Sequence, residues 1–225
     1  MLADGAAALW PLGSTNTGGS GALGSSASQA DLQGTIPATT KGPRLSGTEH
    51  TALAFRGTGR FVTGLTAGLT AADAWTVEMW VRADGCSTTF ERLAATSSLD
   101  SAGREGLDLL HYPASSPAAC GYGAEVWDKG VFLGGCATRG KQVAHRWQLL
   151  AFSYSARTLS CFVGGTLVGV GHLRSLAVPP STALGLGGAG NGYDAGLSTA
   201  SLAEVAFYPR ALSSKDLLPH ARLLS

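Results

Sequence analysis

Ser201 to Leu217 reads SLAEVAFYPRALSSKDL, and the fold turns on how this stretch is read. Leu202, Glu204, Ala206 and Tyr208 alternate with Ala203, Val205, Phe207 and Pro209, the period-two pattern of a β-strand. Pro209 has no N–H to give a sheet ladder, so pairing stops there. Ser213, followed by Asp216, then starts a short helix. Its hydroxyl caps free backbone N–H groups, and the acid suits the positive helix end.

The remainder of the chain is consistent with many short strands. Of 225 residues, 44% are hydrophobic, 14% are charged and 32 are glycine, a turn-rich and lightly charged composition. A chain of this length buries roughly 70–75% of its unfolded surface, so its core requires neither metal nor disulfide. The net charge is +1 with no run of Lys or Arg, which leaves no electrostatic footprint for nucleic acid or an anionic membrane. Long-range electrostatics is therefore expected to contribute little to its partners. The opening MLADGAAALWPLG has neither a basic n-region nor a continuous apolar segment, so no signal peptide and no membrane insertion are expected.

Cys86, Cys120, Cys136 and Cys161 fit no CxxC metal or redox pattern. In a reducing compartment they are small buried apolar residues. In an oxidising medium Cys120 and Cys136, which flank a hairpin, could pair.

Trp75 to Arg82, WTVEMWVR, is the clearest central strand. Trp75, Val77, Met79 and Val81 fall on one face, the core face; Thr76, Glu78, Trp80 and Arg82 fall on the other. That second face suits solvent or a ligand. Gly121 to Trp127 and Val131 to Cys136 form a hairpin around Asp128-Lys129-Gly130. Leu159 to Val163 and Thr166 to Val170 form another, with Gly164-Gly165 as a type I′ turn. Looser strands are expected at Phe90 to Thr96 and Gly106 to His111. Ser14 to Glu49, rich in Gly, Ser and Thr, reads as a long surface excursion.

The closing strand, Tyr208, the Arg210-Ala211-Leu212-Ser213 turn and the short helix resemble the end of laminin G-like, concanavalin A-like jelly rolls. Ala52 to Gly57, Trp75 to Val81, His145 to Tyr154, Val163-Gly164-Gly165 and Ala183 to Gly188 resemble successive strand motifs of the same family, in order. The opening strand around Trp10 resembles it too. The resemblance implies an all-β, antiparallel two-sheet jelly-roll sandwich with a short C-terminal helix. Residues 1–225 form a single domain in this reading, with 14–49 as its excursion.

Glycoside hydrolases of this architecture need two carboxylates on one sheet face. Glu78 has only Thr76, Trp80 and Arg82 beside it, and Glu204 stands alone on its strand, so no enzyme is expected. Relatives that bind calcium place an aspartate where this chain has Ala203. Asn16, Asp31 and Asp194 are the remaining oxygen donors, and no metal or other cofactor is expected. For a sugar ligand the candidates are Trp80, Glu78, Arg82, Trp127 and Tyr193, with Tyr122 as a further ring. The five histidines show no ligand spacing and read as surface residues.

The resemblance thus implies a non-catalytic binding or structural protein. The expected setting is the surface of a phage virion, assembled in the host cytoplasm, as a tail-associated or capsid-decorating component. Its expected partners are other virion proteins, further copies of itself in an oligomer such as a trimer, with residues 14–49 at the interface, and a cell-surface glycan. The alternative is a free-standing bacterial carbohydrate-binding module.

Overall fold

The computed structural model describes residues 6, 8–10, 12, 30–34, 38–57, 59–63, 73–96, 98–100, 103–175, 184–188 and 197–224. They form two antiparallel sheets. The first contains β1 (Ala8–Trp10), β3 (Ala38–Leu45), β4 (Thr48–Ala54), β6 (Ala74–Ala83), β12 (Gln148–Ser155), β13 (Thr158–Val163), β14 (Thr166–His172) and β16 (Ala200–Tyr208). The second contains β2 (Ala30–Gly34), β5 (Gly59–Thr63), β7 (Glu91–Ala95), β8 (Ser98–Asp100), β9 (Gly103–His111), β10 (Tyr122–Asp128), β11 (Val131–Ala137) and β15 (Gly185–Leu186). The spatial orders are β14-β13-β12-β6-β16-β4-β3, with β1 beside β16, and β11-β10-β9-β7-β15-β5-β2, with β8 beside β9. The helix α1 (Ser214–Ala221) ends the chain.

The expected core face of β6 is the observed one: Trp75, Val77, Met79 and Val81 are buried in the main core with Leu107, Leu109, Phe152 and Phe207. The alternation of β16 is broken by a bulge between Ala203 and Ala206, where Glu204 takes φ 47°. An extra residue in one strand shifts the faces beyond it. Leu202 therefore shares the inner face with Val205 and Phe207, while Ala203, Ala206 and Tyr208 face outward.

Gly164 and Gly165 take φ 58° and 78°, as a type I′ turn between β13 and β14 requires. Beyond that turn β14 runs against β11 with no room for side chains. A Cβ at Gly169 would meet the Ala137 carbonyl, and one at Gly171 the Gly135 carbonyl. The edges of the two sheets thus meet in a tight seam.

Three expectations are corrected here. Of the supposed excursion 14–49, residues 30–34 pair with β5, and 38–45 pair with β4 as an edge strand. Part of that stretch therefore packs on its own sandwich, its backbone groups taken up by ladders; residues 14–29 and 35–37 lie outside the described residues. The cysteines are not free thiols: they pair as Cys86–Cys120 and Cys136–Cys161. Cys120 and Cys136 do not pair, because across the hairpin Cys136 sits opposite Ala124, four positions beyond Cys120. Finally, His111 and His220 are buried rather than on the surface, each against a buried glutamate.

Candidate ligand-binding site

The outer face of β6, where sequence reading placed the ligand, is roofed over by the end of the chain. Thr76 Oγ1 accepts the Leu212 N–H at 2.8 Å and donates to the Arg210 carbonyl at 3.0 Å, fixing the corner after β16. Leu212 and Leu217 of the corner and helix pack on Ala151, Phe162, Ala206 and Tyr208. Glu78 is consequently fully buried, its carboxylate 2.9 Å and 3.1 Å from Nδ1 of His220. Trp80 is 1% exposed, among Leu45, Ala52, Leu149 and Ala203. Arg82 is half-buried, 5.4 Å above the Trp147 ring and 3.5 Å from the Thr40 hydroxyl.

Glu78 and Trp80 are thus interior residues of the fold, while Arg82 remains partly exposed beside Trp147. Glu78 faces neither solvent nor a ligand, which corrects the sequence reading; a two-residue period cannot show that a later helix covers a face. Tyr193 lies outside the described residues. Tyr122 is buried in the main core.

Trp127 is the candidate that falls beside a groove. The Asp128-Lys129-Gly130 turn brings β10 and β11 together, and a bulge at Val126/Trp127 sets Trp127 opposite Phe132. Their rings lie 5.3 Å apart, and the Arg104 guanidinium stacks 4.6 Å over Trp127. Glu125, two residues earlier on the same face, accepts from Trp127 Nε1 at 3.1 Å and from the Tyr112 hydroxyl at 3.0 Å. Burial first, and then the charge of Glu125, push the Tyr112 phenol well above its ordinary range, so it remains a donor. Phe90, half exposed, packs edge-on against Tyr112 at 5.6 Å.

Tyr112, Glu125, Phe132, Gly135 to Ala137 and Arg139 line one side of this groove, and Val168 to Val170 of β14 the other; its volume is about 480 Å³. Phe132 is 41% exposed and Val170 52%. The groove therefore offers apolar faces, a hydroxyl-accepting carboxylate and a guanidinium within one strand crossing.

Asp108 sits directly opposite Glu125 in register, but its oxygens are taken by Arg92, at 2.7 Å, and by Arg104. Among the described residues no group of three or more His, Cys, Asp or Glu converges as a metal ion would require. Asn16 and Asp194 lie outside them.

A second polar cluster closes one end of the sandwich. Glu91 is buried and accepts from the Ser198 N–H and hydroxyl and from Thr199 Oγ1 at 2.6 Å, with His111 Nδ1 at 3.2 Å. His111 Nε2 lies 3.0 Å from the Gln142 amide. Burial would raise the Glu91 carboxyl; the bonds from His111, Ser198 and Thr199 outweigh it and hold the carboxyl down at about 2. Its ordinary value is 4.5, so it stabilises the fold fully above that pH, and the contribution fades as pH falls toward 2. The expected loss is about 3 kcal/mol. Urea titrations at pH 6, 4 and 2.5 should show this decline, reduced in Glu91→Gln. Equal slopes in the two proteins would contradict it.

Residues 56–217 match the family described as the concanavalin A-like lectin/glucanases superfamily. No curated protein sequence matches the chain. Among solved structures, it resembles the receptor-binding domain of botulinum neurotoxin mosaic serotype C/D, with TM-score 0.67 and 11% identity over 99% of this chain and 51% of that one. It also resembles domain 4 of AbnA, a GH43 extracellular arabinanase from Geobacillus stearothermophilus, solved in complex with arabinotriose; there the TM-score is 0.60 and identity 16%, covering 96% and 98% of the two chains. The binding domain of botulinum neurotoxin DC, solved with rat synaptotagmin II, gives TM-score 0.62 and 8% identity over 88% of this chain and 47% of that one. The chain thus spans about half the length of the neurotoxin binding domains. At these identities the likeness is one of fold.

Proposed function

The chain belongs to the concanavalin A-like lectin/glucanases superfamily, and from that premise we propose a non-catalytic binding protein that holds a glycan in the groove between the β10–β11 hairpin and β14. The observation that carries the reading is the groove itself. At about 480 Å³ it falls within the usual range for ligand pockets, and its lining joins apolar rings to a few fixed polar groups. Phe132 supplies an exposed ring face for a sugar, and Glu125, oriented by Tyr112 and Trp127, accepts its hydroxyls.

The non-catalytic part of the proposal rests on Asp108. A glycosidase needs a second carboxylate free to face the scissile bond, and the one in register with Glu125 is occupied by two guanidiniums.

For the setting we propose an oligomeric component of a phage virion surface, exposed to an oxidising medium in which two disulfides persist. A free-standing carbohydrate-binding module is the second reading, favoured by the nearly end-to-end likeness to the arabinanase domain. The test is glycan-array binding followed by titration. Phe132→Ala is expected to weaken binding about tenfold, the loss of one stacked ring, without release of reducing ends from any bound glycan by the native protein. Absence of any glycan ligand, or equal binding by the variant, would overturn the groove assignment. Sedimentation as a monomer would favour the free-standing module.

A further inference from the structure

From Lys129 to Tyr193 the sequence contains no aspartate or glutamate, yet it holds Lys129, Arg139, Lys141, Arg146, Arg157 and Arg174 out of 16 lysines and arginines in all. The net charge of +1 conceals this separation. A partner approaching this stretch meets a more positive surface than the net charge of +1 describes. All six side chains are exposed. None of them makes an ion pair among the described residues.

The fold collects this run into β11 to β14 and their connections, on the side of the sandwich that carries the groove. β11 and β14 pass one another antiparallel: Gly134 lies beside His172, Gly135 beside Gly171, and Ala137 beside Gly169. The Arg174 N–H bonds the Leu133 carbonyl at 2.9 Å, and the Leu173 N–H bonds the Arg157 carbonyl at 2.8 Å. Arg157 and Arg174 therefore stand by the start of β11, and Arg139 and Lys141 follow its end. At about 3.3 Å per residue the two basic ends are about 20 Å apart. Between them lie the groove and the exposed Val170, with Phe132 at the Arg174 end and Leu167 at the Arg139 end. The carboxylates bordering this surface are Glu125, which accepts from Tyr112 and Trp127 and faces the Arg104 guanidinium at 3.8 Å, and Asp128 at the hairpin turn.

We propose that the groove takes an acidic, linear polysaccharide such as a polyuronate, laid along the β11–β14 seam with its carboxylates at Arg139 and Lys141 at one end and Arg157 and Arg174 at the other. This rests on the glycan reading of the groove and names its ligand class. Cations at both ends of a groove that also holds an exposed ring select a chain that alternates sugar faces with regularly spaced negative charge. A single-stranded nucleic acid would want a succession of exposed rings for its bases. Of the rings lining the groove, Phe132 is exposed and Tyr112 is buried.

The experiment is calorimetric titration of the intact chain with a polyuronate oligosaccharide, a neutral oligosaccharide of equal length and oligodeoxythymidylate. The polyuronate is expected to bind, more weakly as salt rises, with the neutral sugar about tenfold weaker or worse. Arg139→Gln and Arg174→Gln should each weaken it about tenfold, as loss of one charge-assisted hydrogen bond does. Both substitutions are exposed and should leave the thermal midpoint in place, while Arg222→Gln, at the end of α1, should leave binding unchanged. Equal, salt-insensitive binding of the neutral sugar would overturn the acidic ligand class but keep the groove as a glycan site. Equal binding of the oligodeoxythymidylate would overturn the polysaccharide assignment. Binding of none of the three overturns this proposal, and the glycan reading falls with it only if Phe132→Ala also changes nothing on the array.

Discussion

Replacing His220 with alanine is expected to lower stability by about 3–5 kcal/mol, because it leaves the buried Glu78 carboxylate without its partner. For a chain of this size that is a fall in thermal midpoint of about 6–20 °C. The origin is asymmetric. The pair itself gains little over an apolar pair of similar volume, but one member left alone is a desolvated charge with nothing to bind. The double variant Glu78→Leu/His220→Leu should therefore be much closer to the native protein than His220→Ala is. Thermal and urea unfolding of the three proteins decide the matter. If the single and double variants lose the same amount, α1 is held by its apolar contacts through Leu212 and Leu217, and the ion pair is incidental.

The second large effect is expected at the Cys136–Cys161 disulfide. It joins β11 of one sheet to β13 of the other and closes a loop of 25 residues. Loop-closure entropy sets its contribution at about 3 kcal/mol. Cys136→Ala/Cys161→Ala removes that constraint and also leaves space in the core, where both cysteines are buried. A drop in midpoint of about 6–12 °C should follow, with a larger drop when the native protein is unfolded in reductant, which also opens Cys86–Cys120. A double variant as stable as the native chain would mean that the glycine-lined contact of β14 with β11 holds the seam unaided.

The sequence made the sandwich legible because a half-buried strand writes its two faces into every second residue. WTVEMWVR announced β6 and its core face, and Asp128-Lys129-Gly130 and Gly164-Gly165 announced their hairpins, since only certain residues tolerate those turn angles. Ser213 and Asp216 marked the helix start: Asp216 accepts both the Ser213 N–H, at 2.8 Å, and its hydroxyl, at 2.6 Å. Trp127 was legible as a candidate ring, whereas Glu125 becomes a site residue only once the groove forms around it. The carboxylate-free run from Lys129 to Tyr193 was also there to be seen, hidden only by summing charge over the chain.

What lay beyond reach was everything set by which elements meet across long stretches of chain. Thr76, Glu78 and Trp80 alternate like an exposed face, and only the return of α1 onto the first sheet makes that face an interior. The bulge at Glu204 reassigned half of β16 to the other face, a change of one residue that no periodicity records. Cysteine spacing could not place Cys136 against Cys161, because their meeting depends on the seam between two sheets. The same seam brings Val168 to Val170 to a groove floored by β11, with Arg139 and Tyr112 reaching it from other segments. Local pattern determined the strands, since side-chain direction is a property of each residue and its neighbours; tertiary packing decided the site, since a groove between two sheet edges belongs to no single segment of the chain.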